Sequence, residues 1–503
     1  MKSKHKISYL NKLAWLLMSV SIAATILSAC SKSFLDQTKQ GTLPATALWV
    51  TATDATNAVN AIYGNLRGWN NVAFAPICVE SVPSDDADKG SVPTDATFIN
   101  NYDNFSVTAG DGQLDGFWTG QYQNINLCNQ VLDNIPAITA LDANLKARYI
   151  GEAKFVRAYS YFRLLRAFGN IPLILKVPST AAELNPLQAT PAQIWTAIEQ
   201  DLTDAAGVLP TTYGSSDIGR ATKGAALSLH AKVAMYQKKW TDVKTYTDQV
   251  IGLGVYSLFS DYEKMFRIAN ENCSESIFEI QANYVAGNND LSNCQFSQVQ
   301  GNRDASNVGW GFNSPSTDLV AEFETGDPRL AATVMQAGTT TPEGDAVPLA
   351  SAGAPTRYNM KSYVPFVLAA ATNNGADQNI RVIRYAEVLL MNAEANNELG
   401  NTSAALASLE LVRARARALS TSPSTMLPKV TTTDQTALRN AIYHERRVEM
   451  GMEFDRFYDL VRQGRAGTVL ASKGFKVGIN EIMPIPQTEI DISGGVLKQN
   501  KGY

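Results

Sequence analysis

The sequence predicts a mainly α fold, a tetratricopeptide-like helical hairpin scaffold with long irregular loops and a few short strands. Three features carry that prediction. First, Leu145 to Pro172 concentrates large side chains at helical spacing: Phe155, Tyr159 and Phe162 fall at i, i+4, i+7, and Tyr161, Leu165 and Phe168 repeat the spacing one step round. An apolar face that wide belongs to a helix covered on several sides. Second, a helix–turn–helix pattern occurs at Ala221 to Gly252 and recurs at Ile380 to Leu419, the shape of a repeat hairpin. Third, Gly68 to Gly120 and Tyr256 to Gln378 lose periodicity and scatter aromatics among Gly, Pro, Asp and Asn. Long loops of this kind either carry function or are poorly ordered.

Taken in order, the chain opens with Lys2, Lys4, Lys6 and Lys12 before an apolar run from Leu13 to Leu27 that ends in Leu27-Ser28-Ala29-Cys30. Residues 1–29 read as an export signal, too short and too Ser-interrupted for a spanning helix. The small residues before Cys30 form a lipobox that makes Cys30 the lipidated first residue of the mature protein; an ordinary signal peptide with an incidental cysteine is the alternative. The body divides into 30–255, helical with ligand-side loops, and 256–503, packed with the former as one globular body. Helices are expected from Thr53 to Arg67 and from Trp118 to Ile135. The central helix should stop at Gly169, and Pro172 forbids its continuation. Thr190-Pro191 opens a further helix to about Gly207. Ile277 to Gln281 reads as a strand, and Ser314 as the cap of a helix Thr317 to Glu324. Ala437 to Gln463 reads as one long helix with opposite charges at i, i+3, and Met483 to Tyr503 as an extended tail.

A formal charge of −4 over 503 residues leaves no basic patch for nucleic acid. Cys78, Cys128, Cys273 and Cys294 could pair in three ways outside the cytoplasm, with buried free thiols as the plainer reading. His444-Glu445 begins like a zinc-protease HExxH, but Val448 stands where the second histidine belongs. His230 reads as a structural histidine, and no GxSxG elbow, Walker loop or GxGxxG occurs. No catalytic residue and no enzyme activity are therefore expected. Asp85, Asp86 and Asp88 cluster between Ser84 and Gly90 and could ligate calcium or bond a polyhydroxyl ligand. The full calcium-loop pattern with its distal Glu is missing, and a solvated acidic turn is the bland reading. Beyond that structural calcium no cofactor is expected. Trp69, Trp118, Tyr284, Phe296, Trp310 and Phe312 lie among Gly, Asn and Asp, where a packed core is hard to build. Flat rings there suit sugars, whose C–H faces stack while polar neighbours bond the hydroxyls, and burial of each ring under its own loop is the equal alternative.

Several motifs then occur together between Cys30 and Tyr503. They are the lipobox; Trp118, Tyr122, Ile125 and Asn129; and Glu152-Ala153-Lys154-Phe155 through Arg157-Ala158-Tyr159 to Phe168-Gly169-Asn170-Ile171-Pro172. Further on come Asp327-Pro328-Arg329, Arg384-Tyr385-Ala386-Glu387 with Ala393-Glu394-Ala395, Glu445-Arg446-Arg447, Asp459-Leu460-Val461-Arg462 and Pro484-Ile485-Pro486. In this order the set resembles the SusD/RagB family of Bacteroidetes outer-membrane nutrient-binding lipoproteins. Two departures stand out: Phe454 replaces a common glycine, which puts the local turn geometry in doubt, and Lys501 replaces a common proline. The resemblance implies a lipoprotein anchored in the outer membrane through Cys30, facing the cell exterior as a lid on a SusC-like TonB-dependent transporter. It implies capture of oligosaccharide or polysaccharide. Peptide or another nutrient, a helical-scaffold glycoside hydrolase, and a purely structural lid are the alternatives. Family motifs carry over no ligand residue, so the binding residues Trp69, Asp85, Asp86, Tyr102, Tyr284 and Trp310 are expected from position alone.

Overall fold

In a computed structural model, residues 49–503 are described apart from 285–293, 304–308, 350–352 and 372–376. The signal segment and Cys30 lie outside the described residues. Helix α1 (Ala52–Leu66) buries Ala55, Val59, Ile62 and Leu66 at helical spacing. The Asp54 carboxylate accepts from the Thr51 amide at 2.8 Å at its start. The scaffold continues with α2 (Trp69–Val72), α3 (Gly112–Asn134), the central α4 (Ala143–Phe168), α5 (Pro191–Val208), α6 (Lys223–Tyr236) and α7 (Trp240–Gly252). After the middle of the chain come α8 (Phe296–Gln300), α9 (Thr317–Glu322), α10 (Tyr385–Glu398), α11 (Thr402–Ala418), α12 (Gln435–Met450), α13 (Arg456–Arg462) and α14 (Gln487–Ile492).

The long helices form a ladder in which α3 packs on α4, α4 on α5, α5 on α6, α6 on α7, α7 on α10, and α10 on both α11 and α12. Ala55–Tyr503 forms one compact unit. Central helix α4 starts on Asp142, whose carboxylate accepts from the amides of Asn144 and Leu145, and stops at Gly169 with φ +71°. Phe155, Phe162, Phe168 and Tyr161 on it are almost fully buried, each contributing roughly 1.5–3 kcal/mol of hydrophobic stabilisation. Its charges are buried with partners. Arg157 forks onto Asp201 at 2.7 and 2.8 Å, and Arg163 holds Glu80 at 2.6 Å. No helix among the described residues is long and apolar enough to cross a membrane.

The strands are short and antiparallel. β1 (Ala87–Gly90) pairs with β3 (Phe312–Pro315), and β2 (Ser276–Ile280) with β4 (Ile380–Arg384). Two smaller pairs join Ile171–Pro172 to Gln188–Ala189 and Val334–Gln336 to Arg357–Asn359.

Five expectations are corrected. Ile380 to Arg384 is strand rather than the first turns of a helix, because the β-branched run finds β2 as a ladder partner; over five residues periodicity cannot separate the two. Ser314 lies in β3, and the hydroxyl of Ser316 caps α9 by accepting from the Leu319 amide at 3.0 Å. The stretch Gly68 to Gly120 is largely short helices, a strand and the start of α3. The tail carries α14. The helix expected from Ala437 to Gln463 breaks after Met450, where Met452 and Phe454 adopt φ +66° and +70°. Phe454 thus keeps the left-handed backbone that a glycine would take, at a cost of roughly 1–2 kcal/mol. Its neighbours hold the turn: Glu453 binds Lys361 at 2.6 Å and Arg384 at 2.8 Å, and Asp455 binds Arg166 at 2.9 Å.

The motifs on α9 to α13 converge in a buried ionic core. Arg329, with no exposed surface, binds Asp327 at 2.8 Å, Glu445 at 2.5 Å and Glu449 at 3.2 Å. Arg413 holds Glu445 at 2.9 Å, while Arg384 and Arg415 hold both Glu275 and Glu449. Burial alone would raise the carboxyl of Glu449, but Arg415, Arg384 and Arg329 overcome it and hold Glu449 far below the usual range. The four cysteines Cys78, Cys128, Cys273 and Cys294 are free thiols.

Candidate ligand platform

Three loops, one of them far from the other two in sequence, meet at an aromatic surface. Trp69 opens α2 immediately after a turn at Gly68, and the next turn is bolted to α3 through Asn71. The Asn71 carboxamide oxygen accepts from Gln121 at 2.8 Å and from Asn124 at 3.1 Å, while its nitrogen donates to the Asn65 carbonyl at 2.8 Å. Gly120 permits this approach, since a Cβ there would lie 3.0 Å from the Asn70 side chain and 3.3 Å from its backbone. Trp310 is held from the other side. Its amide donates to the Gln298 carbonyl at 2.8 Å, the Gly311 amide to Gly301 at 2.9 Å, and the Ser91 amide to Gly311 at 2.6 Å. The β1–β3 pairing continues this register, and Gly90, at φ +72°, leaves room for the Gly311 carbonyl.

The rings assemble around Phe74. Trp69 and Trp310 lie 6.0 Å apart at 52°, and Phe74 meets them at 5.4 and 5.8 Å. Phe312 and Phe98 close the cluster from behind at 4.9 and 6.0 Å from Phe74. Phe312 is buried, Trp310 and Phe74 are partly exposed, and Trp69 is 37% exposed. Aromatic faces left partly open on a rigid, hydrogen-bonded base are suited to stacking against a flat apolar surface with polar edges. At the rim, Arg303 and Asp95 form an ion pair of 2.5 Å.

Of the residues expected at a binding site, the structure brings Trp69 and Trp310 together. Asp85 and Asp86 are instead buried, and this corrects their reading as ligand groups on an open acidic turn. Arg456 forks onto Asp85 at 2.7 and 2.8 Å, and Arg447 reaches Asp85 at 2.8 Å and Asp86 at 2.7 Å. Burial pushes the Asp85 carboxyl up, but the two arginines overcome it and leave the group below the ordinary carboxylate range. Tyr102 is likewise fully buried; its hydroxyl donates to Asp111 at 2.6 Å, the residue whose carboxylate caps α3. Tyr284 is partly buried and makes no ring contact with the cluster among the described residues. Trp118 is a buried wall against Phe168, and Phe296 rests on Phe454.

Sequence reasoning missed Phe74 as the hub of the cluster, and it missed Arg303 and Asp95 altogether. No spacing signal links residues that come from three separate loops.

Among the described residues no group of His, Cys, Asp and Glu could hold a metal ion. His230 stacks on Tyr246 at 3.9 Å, and burial lowers it to about 4. The ring nitrogens of His444 face Glu322 at 2.7 Å and Glu324 at 3.3 Å.

A helical ladder that braces one aromatic surface defines a class of binding scaffold. Comparison with known proteins sets the family. The family model described as "SusD family" matches residues 274–503, and that described as "Starch-binding associating with outer membrane" matches residues 33–235. The chain belongs to the SusD/RagB family. It is 27% identical to SusD-like protein P2 of Formosa agariphila, across 96% of this chain and 99% of that one. A solved laminarin-binding SusD-like protein superposes with a TM-score of 0.78 at 29% identity, covering 90% of this chain and all of the other. Surface glycan-binding protein A from Bacteroides fluxus superposes with a TM-score of 0.75 at 25% identity, covering 90% of this chain and 100% of that one. Family membership implies pairing with a SusC-like TonB-dependent transporter.

Proposed function

We propose that this chain is a cell-surface lipoprotein that captures glycan and delivers it to its transporter without catalysis. The observation that carries the reading is the juxtaposition of Trp69 and Trp310 as partly open rings on a hydrogen-bonded base. The name of the laminarin-binding relative makes a β-glucan the first ligand to test. In this reading residues 1–29 are removed, Cys30 carries the lipids that hold the protein at the outer membrane, and several acyl chains on one cysteine anchor it stably. Residues 30–255 and 256–503 then act as one body, since the platform takes one tryptophan from each.

The test is isothermal titration of the mature, detergent-solubilised chain against laminarin and a panel of other polysaccharides, with Trp310→Ala beside it. Saturable binding that is markedly weaker in the variant supports the reading. Absence of binding to every polysaccharide would falsify it and return weight to peptide cargo or a structural lid.

A further inference from the structure

We infer that Asp95 and Arg303 form a charge-compensated clamp beside Trp310 that selects neutral glycans over uronate- or sulfate-bearing ones; this rests on the glycan reading above. Arg303 lies against the platform through Gly311, where a Cβ would sit 3.2 Å from the Arg303 Cβ. Its Nη1 donates to the Ser91 hydroxyl at 2.8 Å and reaches the Trp310 carbonyl at 3.5 Å. The same nitrogen pairs with Asp95 Oδ2 at 2.5 Å, and the Ser91 hydroxyl donates to that carboxylate at 3.0 Å. About a third of each charged side chain remains exposed, 32% for Arg303 and 33% for Asp95. The pair is therefore built into the rim and still open to a ligand.

A second cation near the pair is taken up by backbone carbonyls. Lys89 is buried, donates to the carbonyls of Val92 and Asp95 at 2.8 Å each, and lies 5.8 Å from the centroid of Phe312. Its charge stiffens the loop that presents Asp95 and offers nothing to a bound sugar.

A sugar hydroxyl both donates and accepts, so one hydroxyl edge can donate to Asp95 and accept from Arg303, each as a charge-assisted bond. A carboxylate or sulfate only accepts. Brought to Arg303, it faces Asp95 across the same pair, and the attraction is cancelled by repulsion of similar size. Neutral glycan is the ligand that satisfies both groups.

The experiment titrates the mature chain with laminarin and with alginate, a polyuronate, at low and high salt, using wild type, Asp95→Asn, Arg303→Gln, Arg303→Lys and Trp310→Ala. Thermal unfolding checks that each variant folds. Wild type is expected to bind laminarin with little salt dependence and to ignore alginate. Arg303→Gln should weaken laminarin binding about tenfold, the usual cost of one charge-assisted bond, and Arg303→Lys should recover part of it. Asp95→Asn should weaken laminarin and gain alginate binding that salt suppresses, because the guanidinium is no longer compensated.

Alginate binding by wild type as tight as laminarin binding overturns the inference. So does unchanged laminarin affinity in both rim variants while Trp310→Ala weakens binding; that result leaves the glycan reading standing. Laminarin affinity that is unchanged in Trp310→Ala removes the platform and the clamp together.

Discussion

Trp69 and the Asp85-Asp86 pair belong to the same Gly- and Asn-rich stretch, yet they meet opposite fates. The carboxylates are drawn inward by Arg447 and Arg456, which come from α12 and α13 at the far end of the chain. The indole is left 37% exposed: Asn71 beside it is fastened to α3, and Phe74 and Trp310 meet the ring edge-on and tilted without closing over it. A charge in such a stretch is consumed when a partner from elsewhere reaches it, because a buried charge is tolerated only when paired. An aromatic ring has no such demand and can stay on the surface as a ligand face.

This contrast separates variants that damage stability from variants that damage binding. The largest effect belongs to the ionic core. Arg329→Ala leaves Asp327, Glu445 and Glu449 short of a buried counter-charge and should cost about 3–5 kcal/mol in denaturant unfolding. The remaining folded protein should still bind.

Trp310→Ala is the mirror case. It should lower glycan affinity by roughly thirtyfold, about 2 kcal/mol as for a central aromatic anchor, with only a small shift in thermal midpoint. A variant that lost stability instead would show Trp310 to be core and erase the contrast.

Asp85→Asn sharpens it from the other side. Stability should fall by about 1–3 kcal/mol as Arg456 and Arg447 lose a charged acceptor, while titration with laminarin gives an unchanged affinity. Reduced affinity in the folded variant would return Asp85 to the binding site.

The smallest effect expected is on pH dependence. Hydrogen bonding to Glu322, opposed by burial and aided by the charges of Glu322, Glu445 and Glu324, raises His444 above its ordinary value of 6.5. A folded-state value above the unfolded one stabilises fully below pH 6.5 and is lost as pH rises through the raised value. The gap in thermal midpoint between wild type and His444→Gln should therefore be widest in mild acid and close in alkali. A gap that widens with pH would reverse the sign assigned here.

Much of the scaffold was legible in the residues. The spacing of Phe155, Tyr159 and Phe162, the stop at Gly169 and the Thr190-Pro191 start all act through neighbours three or four positions away, and α4 and α5 appear where they indicate. The strand at Ile277 was legible from its composition, a short β-branched and aromatic run standing alone in a loop-rich stretch. Ile380 to Arg384 was not, because its partner β2 is a hundred residues earlier and the short run alone fits a helix equally well. The break at Met452 and Phe454 was only half legible: the resemblance marked a turn at Phe454, but the helical spacing ran on through it, and the ion pairs of Glu453 and Asp455 with Lys361, Arg384 and Arg166 that hold it come from distant segments. At the platform, aromatics among Gly and Asn marked Trp69 and Trp310 as candidates, but the same signal marked Trp118, which is buried.

The sequence by itself determined the helical ladder, its principal stops and the order of family motifs, because backbone propensity and amphipathic spacing are local. The tertiary structure alone decided which charges were neutralised inside, which rings stayed open, and that Trp69 should meet Trp310 with Arg303 and Asp95 at its rim. Those outcomes depend on packing and electrostatic pairing between segments hundreds of residues apart, and no periodicity along the chain encodes them.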